Sequence, residues 1–285
     1  MPLAPYEEYE KRAGDQAEAK YKRWLIPLAV IFGLIGAGIG GVAGGASRLT
    51  GIVVGVVVGL LLGALIHRLI VHFSASSSAA AAYTADWCTE NGCKNLGDDF
   101  SPSNGPYHNS GHRRKATDAI EGQFGELDTL FYNFSYWTES TDSDGNTTET
   151  EHPYRIMMLT GKSLPIARLS YSTRGFMDRF RTLDKLQGAL TPERPIELES
   201  VEFNKKFDLT IDDKADDIWI RRIFDPATIQ ACVDGQINIP NLRYYDAAWW
   251  LIEDKHYKAK ELDTLKPWQA RAAVAVDHLS RVQDL

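Results

Sequence analysis

Residues 24–45 read WLIPLAVIFGLIGAGIGGVAGG, a stretch without a single charge. At about 1.5 Å per residue, a helix of this length spans a hydrocarbon core of about 30 Å. The polar break Ala46-Ser47-Arg48 follows. A second apolar run then extends from Leu49 to Ile66, closed by His67-Arg68 and Leu69-Ile70-Val71. The Arg68 guanidinium can reach out to lipid headgroups, so the second helix is predicted to run to about residue 72. The short connection forces an antiparallel transmembrane helix hairpin over residues 24–72. A cleaved signal peptide does not fit, because twenty-three mostly polar residues precede the first run and a second span follows at once.

The flanking charges set an orientation. Lys11, Arg12, Lys20, Lys22 and Arg23 precede the first helix, whereas the turn holds Arg48 alone. An excess of Lys and Arg marks the cytoplasmic side, so the N-terminal segment (residues 1–23) is expected in the cytoplasm. A hairpin returns the chain to the side it left, which places the rest there too. The expected location is therefore the cell membrane, multi-pass, and the Asn-x-Ser/Thr triplets at Asn133 and Asn146 read as chance matches.

Glycine recurs every fourth residue in both runs: Gly36, Gly40 and Gly44 in the first, Gly51, Gly55, Gly59 and Gly63 in the second. Such a stripe lies on one helix face and lets backbones approach for van der Waals contact that lipid cannot match. It reads as a packing surface within the hairpin. The sharper readings are a homo-oligomer or a glycine-zipper channel, against which stands the lack of any ionisable residue within the apolar runs short of His67.

The remaining composition limits the function classes. A chain of 285 residues, 44% hydrophobic and 11% aromatic, can bury one sizeable core behind the hairpin. The net charge of -7 argues against nucleic acid as the main partner. Three cysteines are too few and too odd in number for a disulfide-stapled domain, so a reducing compartment fits.

Residues 73–126 read as linker and irregular loop. SASSSAAAA, residues 74–82, is either a flexible tether or an extension of the second helix. Residues 127–285 form the expected α+β domain. Leu127–Trp137 and Tyr154–Thr160 predict antiparallel strands joined at Asp144-Gly145. Further strands are expected at Leu164–Tyr171, Ile196–Val201, Phe207–Ile211 and Ala247–Ile252. Helices are expected over Arg174–Leu190 and Asp213–Phe224, from Pro226, and from Pro267. Of Trp249 and Trp250 in the last strand, one is expected inside and one outside.

The stretch IELESVEFNKKFDLTIDDKADDIWIRRIFDPATIQACVDGQINIPNLRYYDAAWWLIED, residues 196–254, carries Phe203, Phe207, Asp212-Asp213, Ala215, and Phe224-Asp225-Pro226 with Ile229. It resembles the C-terminal domain of a family of bacterial two-span membrane proteins catalogued only as a domain of unknown function. The resemblance implies a hairpin followed by an α+β domain. It assigns no chemistry, so no catalytic residue and no enzymatic activity are carried over.

One constellation suggests a ligand. Cys88, Cys93, His108 and His112 are spaced C-x4-C-x14-H-x3-H, and two thiolates with two imidazoles suit a tetrahedral structural zinc. The bland alternative is a loop with unlinked side chains. Gly161-Lys162-Ser163 lacks the first glycine of a phosphate loop, and Asp142, Asp144, Asn146 and Glu149 imitate a calcium loop with the glycine misplaced. The functional expectation is a membrane-anchored cytoplasmic module that binds or scaffolds a protein partner without catalysis. The alternative is a hydrolase or transferase with an unrecognised site, and the third is the channel.

Overall fold

A computed structural model describes residues 3–43, 48–98, 100–102, 105, 107, 110–174, 193–237 and 239–281. The chain forms two compact units, Met1–Trp87 and Cys88–Leu285. The expected helix over Arg174–Leu190 and the side chain of His108 lie outside the described residues.

Two long helices build the first unit, α1 (Tyr6–Ala43) and α2 (Arg48–Asn91). Both are longer than the expected spans. With 38 and 44 residues they measure about 57 and 66 Å. Residues 6–23 are therefore helical, and SASSSAAAA continues α2 rather than tethering it. The reason lies in small side chains: Ala13 and Ala17 on α1 and Ala79 on α2 are buried. Beyond them Tyr83 meets the edges of Tyr6 and Tyr9, each at 5.3 Å between ring centres, and the Tyr9 hydroxyl donates to Asp86 at 2.6 Å. At the other end of this polar half the His67 ring lies 3.0 Å from the Tyr21 carbonyl.

The second unit is an α+β domain on a nine-stranded sheet. Its strands are β1 (Cys93–Gly97), β2 (Arg113–Phe124), β3 (Leu127–Thr141), β4 (Thr147–Thr160), β5 (Leu169–Thr173), β6 (Glu193–Pro195), β7 (Phe207–Asp212), β8 (Asn241–Tyr245) and β9 (Ala248–Glu253). They lie in the order β1-β2-β3-β4-β9-β8-β5-β7-β6, and every pairing is antiparallel. Among the described residues its α-helices are, in chain order, α3 (Val201–Lys206), α4 (Asp217–Ile223), α5 (Pro226–Val233) and α6 (Leu265–Ser280).

Several expectations are corrected. Ile196–Val201 is not a strand. Ser200 caps a helix there by accepting from the Phe203 N–H, while the Asn204 side chain brackets Leu198 with two main-chain bonds. Residues 164–168 do not extend β5. The helix expected from Asp213 starts at Asp217, because Asp216 accepts from the Ile218 N–H as its cap. Residues 93–97 and 113–124 are strands rather than loop.

Both tryptophans of β9 are buried, because both faces of the sheet are covered. On one face Phe131 meets Trp268 of α6, and Tyr171 meets Phe203 of α3 and Phe224. That face holds Trp249, which pairs with Leu159 and Tyr244. The opposite face carries Tyr132, Tyr136, Tyr154, Ile156 and Trp250, capped by Phe100 and Tyr107 from the loop before β2. Strand alternation sends Trp249 and Trp250 to opposite faces, yet neither reaches water.

Polar groups in this core are matched to partners. Arg155 and Glu253 face each other across β4 and β9, with Nε 2.9 Å from the carboxylate, and the guanidinium lies 4.6 Å from the Trp268 ring centre. Asn133 Nδ2 donates to Asp118 at 2.8 Å and to the Tyr257 carbonyl at 2.9 Å, and Oδ1 accepts from the Tyr257 N–H at 2.9 Å. This holds Asp118 at φ 54, where β2 slips its register against β3. Two of the three bonds are to main-chain groups that are buried with it. Asn133→Ala should therefore destabilise the folded domain by about 2–3 kcal/mol, the cost of unmet buried donors and acceptors, read as a lower unfolding midpoint of the full-length chain in detergent.

A surface network gives a pH-dependent term. Asp277 lies 2.5 Å from Lys162 Nζ and 3.1 Å from Arg281, and the Lys162 hydrogen bond first, then that of Arg281, holds its carboxyl below the ordinary range. A depressed carboxyl contributes stability above its unfolded value of about 4 and loses it as pH falls through the folded value. Asp277→Asn should therefore flatten the acid limb of thermal unfolding below about pH 4. At neutral pH its cost should stay under about 1 kcal/mol, since the pair is half exposed and screened.

Candidate functional site

The most distinctive surface is on the helix pair. Among the described residues, the large apolar side chains that are exposed all lie between Trp24 and Phe73, apart from Val201, Ile218 and Val274. Ile26 is 73% exposed, Leu34 69% and Leu61 67%. Both helices are long and apolar enough to cross a membrane. In water the exposure of such a surface costs roughly 25 cal/mol per Å².

The glycines face the other way. A Cβ built on Gly36 would overlap the Gly55 carbonyl oxygen, one on Gly55 would overlap that of Gly36, and one on Gly59 would overlap that of Phe32. At Gly63 a Cβ would come within 3.2 Å of the Ala29 Cα. These four positions are engaged inside one hairpin by backbone contact. Gly44 lies outside the described residues. Gly55→Leu or Gly59→Leu should wedge the helices apart and lower accumulation or detergent stability, whereas Leu61→Ile, which points outward, should not. Wild-type behaviour of the glycine variants would contradict this placement.

The proposed zinc ligands separate. Cys88, in the last turn of α2, is buried, Cys93, opening β1, is partly buried, and both are free. Donation to Cys93, then burial, pushes the Cys88 thiol up. Acceptance from Cys88 lowers Cys93, with Lys266 adding to the effect. Cys93 pairs with Gly122 near the end of β2, whereas His112 precedes its first residue. Ten residues at about 3.3 Å each put His112 about 30 Å away, against a donor-to-zinc distance of about 2.0–2.3 Å. The four-ligand centre therefore does not form with His112.

His112 instead joins an exposed charge cluster at the root of the β3–β4 hairpin. Its Nε2 is 2.9 Å from Glu149 and 3.6 Å from Glu139, and Arg113 shares Glu149 at 3.5 Å. These three His and Glu side chains lie close enough to one another for a metal ion. The arginine on the same carboxylate disfavours that use. The calcium-like acidic turn is explained locally: Asp142 Oδ1 accepts from the Asp144 and Asn146 N–H groups at 3.0 and 2.8 Å, and Gly145 takes φ 83.

A serine, a histidine and a glutamate do meet, which sequence reading missed. Ser135 Oγ donates to Glu151 at 2.6 Å and lies 3.0 Å from His256 Nε2. That same nitrogen is 3.2 Å from the Phe134 carbonyl, which can only accept, so Nε2 carries a proton. A nucleophilic serine needs the reverse wiring, with imidazole accepting and the carboxylate on the far ring nitrogen. Separations of over a hundred residues left no local signal for this cluster. A cleft of about 200 Å³ beside α4 is lined by Arg194, Leu198, Asp217 and Arg221. Its cations are engaged, Arg194 with Asp217 and Arg221 with Glu199.

No protein-family model matches this chain, and no curated protein matches it. Among solved structures it is similar to the mycobacterial trehalose monomycolate transport factor A, TtfA. The TM-score is 0.41 at 7% identity, covering 71% of this chain and 93% of that one. A likeness that distant does not establish a shared activity.

Proposed function

We propose that this chain is a membrane-anchored module, a member of the two-span family it resembles, whose α+β domain docks a protein partner in the cytoplasm without catalysis. The carrying observation is the exposed apolar belt from Trp24 to Phe73 on two helices joined along their glycine faces. A lipid bilayer is the environment that removes this surface from water. Sidedness rests on the basic residues ahead of α1 and their scarcity in the turn.

A partner is supported by the arm that β3 and β4 form beyond their neighbours. β2 pairs with β3 as far as Trp137, and β9 pairs with β4 only from Arg155 to Leu159. Residues 139–151 are exposed and include Glu139, Asp142, Asp144, Glu149 and Glu151, with no Lys or Arg. A two-stranded ribbon has little stability of its own, and one this acidic suits a basic protein face.

The test uses single cysteines at Ser47 and Ser140 in a chain whose native cysteines are replaced. An impermeant thiol reagent on intact cells should label Ser47→Cys and spare Ser140→Cys until the cells are opened; the opposite pattern overturns the orientation. A photocrosslinking residue at Ser140 in native membranes should then capture one protein, with a yield that falls as salt rises. Capture of nothing above background at low salt would remove the arm as a docking surface.

A further inference from the structure

Where the apolar belt of the helix pair ends, a groove of about 350 Å³ opens between α1 and α2. Arg68, His72, Ala75 and Ser76 of α2 line it, together with Gly14 and Glu10 of α1. Leu69, Ile70 and Phe73 beside Arg68 are 45%, 40% and 68% exposed, so the guanidinium starts inside the belt. His72 and Ser76 follow on the same face, one and two turns further out. The other helix runs in the opposite direction. Trp24 is its first large exposed apolar residue, and Gly14 and then Glu10 lie progressively farther from it. The groove therefore has a cationic end at the belt and an anionic end away from it.

Two observations point to an occupant. Among the described residues, no ion pair engages Arg68, His72 or Glu10. Gly14 stands well inside α1, where glycine weakens a helix relative to alanine, and a Cβ there would meet nothing within 4 Å. Gly36, Gly55 and Gly59 are bare because a facing backbone touches them. No such contact accounts for Gly14, and the space it leaves belongs to the groove.

We propose that this groove binds the headgroup of one phospholipid carrying both a phosphate and a primary ammonium, the chemistry of phosphatidylethanolamine. The phosphate oxygens accept from the Arg68 guanidinium and the His72 ring N–H at the belt end, and the ammonium donates to the Glu10 carboxylate at the outer end. A phospholipid presents its parts in this order, with acyl chains in the hydrocarbon, phosphate next and ammonium outermost. Cationic pockets between membrane helices hold headgroups in the same way. A purely anionic headgroup would set a negative charge against Glu10, and a choline headgroup has no N–H to donate. The proposal rests on the hairpin being a membrane anchor and adds to it a specific lipid.

The full-length chain, purified in detergent and stripped of lipid, is titrated with phosphatidylethanolamine, phosphatidylglycerol or phosphatidylcholine and read by native mass spectrometry. Wild type should hold one phosphatidylethanolamine about tenfold more tightly than either of the others, and Arg68→Gln should weaken it about tenfold, as expected for a charge-assisted hydrogen bond. Glu10→Gln should bind phosphatidylglycerol at least as well as phosphatidylethanolamine. Gly14→Leu, which fills the groove without meeting another backbone, should abolish the one-lipid adduct while the unfolding midpoint stays at or above that of wild type. Equal binding of the three lipids by wild type would overturn the proposal, as would unchanged binding in Gly14→Leu. Displacement of the lipid by inorganic phosphate would assign the groove to a free anion instead. Flotation with vesicles of phosphatidylcholine alone separates this reading from the anchor: wild type and all three variants should insert and resist alkaline extraction. If they insert but show no lipid preference, the anchor stands and the site falls. Wild type left in the soluble fraction removes the anchor and this proposal with it.

Discussion

Two helices whose backbones touch can carry no side chain at the point of contact, and this constraint organises the N-terminal unit. Gly36 against Gly55 and Gly59 against Phe32 bring carbonyl oxygens to positions that any Cβ would occupy. The same economy of size continues through Ala17, Ala13 and Ala79, beyond the apolar belt. Close approach along this line leaves most of the large aliphatic side chains of residues 24–73 exposed on the outside. The inward face is fixed by what is small, and the outward face carries the exposed apolar side chains. In a bilayer, where packing gains little from hydrophobic burial, contact area between backbones would supply the attraction.

A different constraint governs the sheet domain. A nine-stranded sheet presents two faces, and among the described residues the helices α3 and α6 pack on one of them. The other is closed by aromatic rings stacked on aromatic rings: Tyr107 on Tyr154 at 4.7 Å and Phe100 on Tyr132 at 5.3 Å. Large flat side chains suit that task, because a few residues of loop then cover an area that would otherwise require another helix. This explains why β3 and β9 are rich in Tyr, Phe and Trp on alternate as well as adjacent positions.

Features with a local cause were legible in the sequence. The apolar hairpin, the β3–β4 pair around Asp144-Gly145, the proline start of α5 at Pro226 and the helix near Pro267 all declare themselves within a few residues. Features with a distant cause were not. β2 reads as polar because much of it is exposed, and its alternation is broken where the register slips at Asp118, held by Asn133 and Tyr257. The helix over 201–206 hides behind strand-like Val201 and Phe203 until Ser200 and Asn204 are seen to bond the main chain. Cysteine and histidine spacing suggested four ligands around one point, whereas β2 carries His112 to the far end of the sheet from Cys93. Spacing along a chain limits what can meet only when the intervening segment is free to fold back, and a strand is not.

The polar residues of the domain interior support the same distinction between scaffold and chemistry. Asn133 gives both faces of its amide to neighbouring backbone and to Asp118. Arg155 meets Glu253 and the Trp268 ring, and Ser135 gives its proton to Glu151. A group that has surrendered its proton or lone pairs to a structural partner must break that bond before it can act on a substrate, at a cost of about 1–3 kcal/mol for each buried bond lost. These contacts hold strands in register and helices against the sheet.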